Sequence, residues 1–325
     1  EAFTTKENKE KALQLINEAD VVITGAAPEE YFKQRLKEKR LTFFYNERWL
    51  KTKWRIIDYP RKKYQHRFNK NSNLYYLAAG AFVSNDMKIL NAYQNKIFKW
   101  GYFTDVKELD IDTIIENKRN DRIKILWCAR FLKWKHPDMV PLLAKYLKEK
   151  GYDFVIDMVG SGVLTPKINK MIHHYNLQGY INLIGNKPNK EVLKMMRESH
   201  IFIFTSDRGE GWGAVLNEAM SSGCAVVASD AIGAVPFLIK DGINGLIFQS
   251  KNDASLAEKV EYLIKDEKER EKMATQAYET MKSTWSPQNA CKQFLLLAKA
   301  ILNNENIEIL DGPCSKAEIQ SKFKL

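Results

Sequence analysis

Ile201-Phe202-Ile203-Phe204-Thr205-Ser206-Asp207-Arg208-Gly209-Glu210-Gly211-Trp212-Gly213-Ala214-Val215-Leu216-Asn217-Glu218-Ala219-Met220 decides how this chain folds. Four apolar residues in a row, Ile201 to Phe204, read as a buried strand. Glycines 209, 211 and 213 break it, and the residues from Gly213 to Ser222 read as a helix. A strand that runs through a glycine turn into a helix is half of a βαβ crossover.

Working outward, the alternation repeats. Ile123 to Cys128, Phe154 to Val159, Ile181 to Ile184, Ala225 to Ala228 and Gly245 to Phe248 are further short apolar strands. Helices are predicted after Pro137, with Val140, Leu143, Ala144 and Leu147 on one stripe, from Gly162 to about Tyr175, and over Lys190 to Glu198. Strands and helices in this order form right-handed crossovers and a parallel sheet covered on both faces. Residues 121–283 therefore read as one doubly wound, Rossmann-like domain, with its ligand outside the carboxyl ends of the strands. The first 120 residues are also α/β, with helices at Lys9 to Glu18, Glu29 to Lys39 and Met87 to Ala92. Strands are predicted at Val21 to Thr24 and Leu41 to Tyr45, and Leu74 to Val83 is a strand or core segment. This domain looks short for a doubly wound fold. Asp105 to Asn120 reads as a polar link, and residues 284–325 as a last amphipathic helix, Ala290 to Leu302, with a tail.

Composition bounds the function. The 325 residues are 45% hydrophobic and 28% charged, which argues against a disordered or low-complexity chain. No apolar run reaches the ~18 residues that cross a bilayer. Cys128, Cys224, Cys291 and Cys314 are far apart and form no CxxC pair, so they read as reduced packing residues of a cytoplasmic protein. Glu1-Ala2-Phe3-Thr4 shows neither a start methionine nor a signal-peptide pattern, so the chain is expected to be processed or to begin inside a longer protein. Lys and Arg number 51 against 40 acids, a formal charge of +11 that favours anionic partners.

Three strand ends carry candidate chemistry. In the opening stretch the glycines let backbone approach a ligand, and the helix end past Gly213 offers N–H groups and a positive dipole to a diphosphate. Glu210 in the loop and Glu218 inside the helix would touch different parts of an elongated ligand; the plain alternative is a glycine turn with two solvated glutamates. Arg130 and Lys135 follow the first strand of the domain, at the same sheet edge, and two cations beside a helix end suit a diphosphate leaving group. Gly160-Ser161-Gly162 closes the next strand and offers backbone contact or simply a tight turn. Asp110-Ile111-Asp112 is a DxD pair, but it stands in the polar link rather than after a strand, and no His or Cys cluster has metal-ligand spacing.

In sequence order, Ala129-Arg130-Phe131 with Lys135, Met158 to Gly162, Leu183-Ile184-Gly185, Glu210 to Gly213 with Asn217 to Met220, Gly223 to Ser229 and Asp241 to Ile247 resemble the family 4 retaining glycosyltransferases (glycosyl transferases group 1). The resemblance implies the GT-B fold, two Rossmann-like domains facing each other across a cleft. In this chain the N-domain is expected to be truncated, because the family's opening strand and glycine-rich loop are not seen. It implies a nucleotide-sugar donor, a UDP-sugar first, and no cofactor or divalent metal. Glu210, Arg130 and Lys135 would carry catalysis. Gly160, Gly162, Gly185, Gly211, Trp212, Gly213, Ala214, Val215 and Glu218 would hold the donor, Glu218 at the ribose and backbone N–H groups at the phosphates or sugar. The final helix would cross back onto the N-domain. Ala129 and His136 stand where the family usually has glycine, and Asn46-Glu47-Arg48 follow the strand after which it often has histidine. The reaction expected is transfer with retention to a glycan or lipid-linked acceptor in cell-surface polysaccharide synthesis. The alternatives are a nucleotide-sugar 2-epimerase on the same fold, or a silent nucleotide-sugar-binding fragment.

One further segment stands out. From Arg48 to Lys70 nine cations face one acid, Asp58, with Trp49, Trp54, Tyr59, Tyr64 and Phe68 between them. It lacks an RNP-like or helix-turn-helix pattern, which speaks against nucleic acid. It reads either as a solvated basic face or as a patch docking on the anionic inner face of the plasma membrane.

Overall fold

The structure, a computed structural model, describes residues 5–70, 73–119 and 121–321. The chain forms two compact units. The first takes the residues up to Gly101 and those from Ala290 onward, and the second takes Tyr102–Asn289.

In the first unit β1 (Val22–Thr24), β2 (Thr42–Glu47), β3 (Leu74–Ala79) and β4 (Ile97–Trp100) form a parallel sheet in that order. Val22 lies opposite Thr42, Thr42 opposite Leu74, and Tyr76 opposite Ile97. Successive side chains point to opposite faces. Phe43, Leu77 and Phe98 therefore pack with Leu297 and Ala298 of the helix Pro287–Leu302, while Phe44, Tyr76 and Ala78 pack with Leu36, Val83 and Met87. From Ala290 on, the last helix thus belongs to the body of the first unit.

Two features lock this unit. Arg35, fully buried, donates to the carbonyls of Ile16, Ala19, Asp20 and Leu41 and to the Thr42 hydroxyl. It satisfies orphan carbonyls at the end of the helix Lys6–Glu18 and ties that end to the start of β2. Beyond the last helix, residues 314–317 lie antiparallel along β4: the Lys99 N–H donates to the Ser315 carbonyl and the Cys314 N–H to the Lys99 carbonyl, both at 2.8 Å. An edge of unpaired N–H and C=O groups is covered in this way. The helix expected over Glu29 to Lys39 is instead a 3-10 turn, Glu29–Tyr31, followed by a short α-helix, Lys33–Lys37.

The basic segment folds as the 3-10 turn Lys53–Asp58, the helix Tyr59–Gln65 and the 3-10 turn Arg67–Lys70. It is not a uniform cationic face. Arg48 is buried against Asp86 at 3.0 Å, Lys51 pairs with Glu47 at 2.7 Å, Arg67 pairs with Glu29, and Asp58 takes both Arg55 and Arg61. Acids from outside the segment, invisible to a local charge count, neutralise part of it. Trp49 is buried, whereas Trp54 is 88% and Ile57 83% exposed. The Lys53 side chain lies outside the described residues.

The second unit carries β5 (Ile123–Cys128), β6 (Phe154–Val159), β7 (Ile181–Gly185), β8 (Ile201–Phe204), β9 (Ala225–Ser229) and β10 (Leu246–Phe248), all parallel, in the order β10-β9-β8-β5-β6-β7. The expected polar link belongs to this body rather than to the first. Its helix Ile111–Glu116 buries Ile111 and Ile115 in the core beside Ile125, Met273 and Tyr278. Asp110 of the DxD pair caps that helix, accepting the Thr113 N–H at 3.1 Å.

Candidate active site

From β5 the chain winds to β6 and β7 on one side. It then returns to β8 on the other side of β5 and goes on to β9 and β10. The carboxyl ends of β5 and β8 flank the point of reversal, where connections leave in opposite directions and open a crevice. The β5 loop carries Arg130 and Lys135; the β8 loop carries Glu210 and runs into the helix Ala214–Ser221.

Backbone geometry shapes both loops. Gly213, at φ +98°, is the cap of that helix and has no side chain to satisfy the first N–H groups; a Cβ there would stand 2.6 Å from the Phe204 ring. The helix end therefore stays available to an anion. His136 adopts the left-handed conformation, φ +47°, at the position after Lys135. The turn that glycine would supply is thus made by histidine, held by Nε2 to Asp207 Oδ2 at 3.0 Å. Asp207 also accepts the Gly209 N–H at 2.9 Å and pairs with Lys251 at 3.1 Å. Burial pushes its carboxyl up, but the bonds from His136, Gly209 and Lys251 prevail and bring it down to about 2.

The structure brings Lys135 and Glu210 together: the ammonium pairs with the carboxylate, which also accepts the Ser206 hydroxyl at 3.2 Å. Both side chains are only 12% exposed, and Lys135 lies 4.2 Å over the Trp134 ring. Arg130 is exposed and makes no ion pair among the described residues. Glu218 is half-buried and accepts from Asn189 at 2.9 Å. Cys128, at the end of β5, lies near Glu218 and Lys135; burial first, then Glu218, raises its thiol to about 11.

The glycines divide by role. A Cβ on Gly160 would meet the Ala129 carbonyl at 2.1 Å, and one on Gly162 the Phe131 carbonyl at 2.7 Å. The Phe131 N–H donates to the Ser161 carbonyl at 2.9 Å, so this pair of glycines sets the position of the Arg130 loop. Gly185, φ +75°, has open space where a side chain would be. Gly211 and Trp212 are buried; the Trp212 indole bonds Asn217 at 2.9 Å and packs near Tyr102, Phe237 and Trp285, so only its backbone can serve a ligand. Ala214 and Val215, in the first helical turn, are half-exposed. Sequence reasoning missed Ser206, Asp207 and Lys251. Asp207 had a local signal, an Asx-type turn two residues before Gly209. Lys251 had none, because it arrives from the loop after β10. The described residues contain no group of three His, Cys, Asp or Glu placed to hold a metal ion.

Residues 110–280 match the sequence model of the glycosyl transferases group 1. The chain belongs to that family. The poly(glycerol-phosphate) alpha-glucosyltransferase of Bacillus subtilis is 26% identical over 64% of this chain and 30% of its own length. A putative colanic acid biosynthesis glycosyltransferase of Salmonella typhimurium, WcaL, is 26% identical over 55% of this chain and 45% of its own. The chain spans half or less of the length of the curated relatives it matches most strongly. In fold it is similar to HepE of Anabaena, crystallised with UDP, with a TM-score of 0.69 at 15% identity over 92% of this chain and 81% of HepE. The fold of this group 1 chain is therefore GT-B, two Rossmann-like units.

Proposed function

We propose that the protein is a retaining glycosyltransferase. It takes a sugar from a nucleotide diphosphate, a UDP-sugar first, and passes it to a glycan or lipid-linked acceptor in cell-surface polysaccharide synthesis, with no metal. What supports this reading is the placement of Arg130 and Lys135 on the loop after β5 and of the Gly213-capped helix after β8, the two strands that flank the point where the second sheet reverses. In support, HepE is described in complexes with UDP and with UDP-glucose, and WcaL is named for colanic acid biosynthesis.

In the proposed reaction, front-face transfer breaks the bond from the anomeric carbon to the diphosphate oxygen and forms the bond to the acceptor oxygen on the same face. The departing oxygen takes the acceptor's proton. Arg130, Lys135 and the helix N–H groups stabilise the charge growing on that oxygen, the main catalytic contribution. Lys135 keeps Glu210 as partner, which holds the carboxylate where donor-sugar hydroxyls reach it; Glu218 takes the ribose hydroxyls. Titration with UDP-, GDP- and ADP-sugars, followed by NMR of the product linkage, tests the reading. Saturable binding of one donor and an unchanged anomeric configuration are expected. An inverted centre, or nucleotide release that needs no acceptor, overturns it.

We also infer that the segment around Trp54 and Ile57 rests on the anionic inner face of the plasma membrane. Exposed Trp54, Ile57 and Tyr64 beside Arg55 and Arg61 support this, an arrangement suited to headgroups and the interface below them.

A further inference from the structure

Thr205 follows β8 directly and is fully buried. Its hydroxyl lies between two partners. The Trp127 indole Nε1–H reaches it at 2.8 Å, and it stands 2.7 Å from the Lys135 carbonyl oxygen. An indole can only donate, and a hydroxyl has a single proton. The Thr205 oxygen therefore accepts from Trp127, and its proton goes to the Lys135 carbonyl. Trp127, on β5, is buried and packs edge-on against Phe131, with ring centroids 5.1 Å apart, so the donor end of this relay is part of the core.

The neighbouring bonds run in step. The Asp207 N–H donates to the Trp134 carbonyl at 2.9 Å, and Asp207 Oδ2 meets His136 Nε2 at 3.0 Å. Residues 134, 135 and 136 are thus each held by Thr205 or Asp207. The Thr205 bond fixes the peptide plane between Lys135 and the left-handed His136. At the far end of the Lys135 side chain, the ammonium pairs with Glu210, whose own N–H donates to the Asp207 carbonyl at 2.9 Å. Both the root and the tip of Lys135 are therefore set by the segment 205–210. A lysine side chain is costly to order, so a fixed root decides where its charge lies.

We propose that Thr205 is a positioning residue: its hydroxyl, oriented by the Trp127 indole, fixes the Lys135 backbone and so places the ammonium for the donor's diphosphate. The proposal rests on the transferase reading above and adds the side chain through which that charge is held ready before the reaction.

The experiment has two arms, both on the full chain. Without nucleotide, acetic anhydride labelling of Lys135 is followed by mass spectrometry. Thr205→Val keeps the shape, removes the hydroxyl and should speed the labelling severalfold; Thr205→Ser keeps the hydroxyl and should not. Calorimetry then uses UDP against uridine, or the matching pair for GDP or ADP if the parent chain prefers one of those. Thr205→Val should weaken the diphosphate by about tenfold and leave the nucleoside unchanged, the scale of one hydrogen bond to a charged group. In a Lys135→Ala background the same substitution should cost less than about twofold, because a residue acting through Lys135 has nothing left to act on. Val227→Ala, a core change on β9 outside these bonds, is the control for lowered stability and should leave both readouts unchanged. If Thr205→Val does not fold, its combination with Trp127→Phe leaves no orphaned indole N–H and carries the same tests. Unchanged labelling in Thr205→Val, equal losses for diphosphate and nucleoside, an undiminished loss in the Lys135→Ala background, or the same changes in Val227→Ala overturns the positioning role. A parent chain that binds none of UDP, GDP and ADP while the labelling responds as expected would instead overturn the transferase reading.

Discussion

His136 shows what one residue can hide. In the sequence it stands where the family usually has glycine. The structure keeps the turn at φ +47° and offsets the strain with the bond to Asp207. His136→Ala should therefore lose the bond and keep the strain, whereas His136→Gly loses only the bond. The glycine variant should be the more stable of the two by ~1 kcal/mol in denaturant unfolding. Arg130→Ala should weaken binding of the nucleoside diphosphate by ~1.5–3 kcal/mol, the value of a charged hydrogen bond, and leave the nucleoside alone. Isothermal titration with UDP and uridine checks this; equal losses for both would take Arg130 out of the phosphate site. Glu210, Arg130 and Lys135 were legible as residues of one sheet edge. The contact between Glu210 and Lys135 was not, because 75 positions separate them and a local pattern carries no distance.

At the scale of elements, the strands that alternate with helices in the second unit were readable from short apolar runs. β4 was not, with only four residues. Its other neighbour, residues 314–317, comes from the far end of the chain. The helix Ile111–Glu116 looked polar because only Ile111 and Ile115 face inward. Tail docking can be watched through thiols. Cys291 is exposed, while Cys314 is buried and its thiol pushed up to about 12 by burial. Cys291 should react fast with a thiol reagent and Cys314 slowly. Asn85 holds the tail through the Gln320 carbonyl and N–H, each at 3.0 Å. Asn85→Ala, removing two bonds of ~1 kcal/mol each, should speed Cys314 labelling by about tenfold or more. The exposed turn Lys53–Asp58 has its own test. Trp54→Ser with Ile57→Ser should cut co-sedimentation with anionic vesicles several-fold, as should high salt. Binding that ignores both lipid charge and these residues would remove the membrane from the proposal.

Across the whole molecule, each unit buries one neutral histidine, His66 in the first and His200 in the second, both lowered to about 4, chiefly by burial. His200 Nδ1 accepts the Lys124 N–H at 3.1 Å, and Nε2 lies 2.8 Å from the Lys118 carbonyl, so a second ring proton would face a donor. The unfolded chain takes these protons near pH 6.5, before the folded one does. Stability is therefore complete above pH 6.5 and falls as pH drops to 4, by up to ~3 kcal/mol per histidine. Urea unfolding from pH 7 to 4 should show this slope. His66→Phe should flatten it for the first unit and His200→Asn for the second, and an unchanged slope in both would exclude the histidines as its source. Neither burial was visible in the sequence, where each histidine sits among ordinary neighbours.

The first unit is discontinuous: the four described strands of its sheet are made by Gly101, but the helix against one face and the segment beside β4 lie beyond Ala290. A ribosome releases the chain from one end only. Roughly 190 residues of the second unit emerge between the two parts, which at about 5–20 residues per second takes ~10–40 s. Throughout that interval Phe43, Leu77 and Phe98 have no helix to cover them and β4 keeps a bare edge. The later-made unit can thus close its core while the earlier one is still waiting. The order of birth along the chain and the order of completion are opposite, and the nascent first half is the natural client of a chaperone.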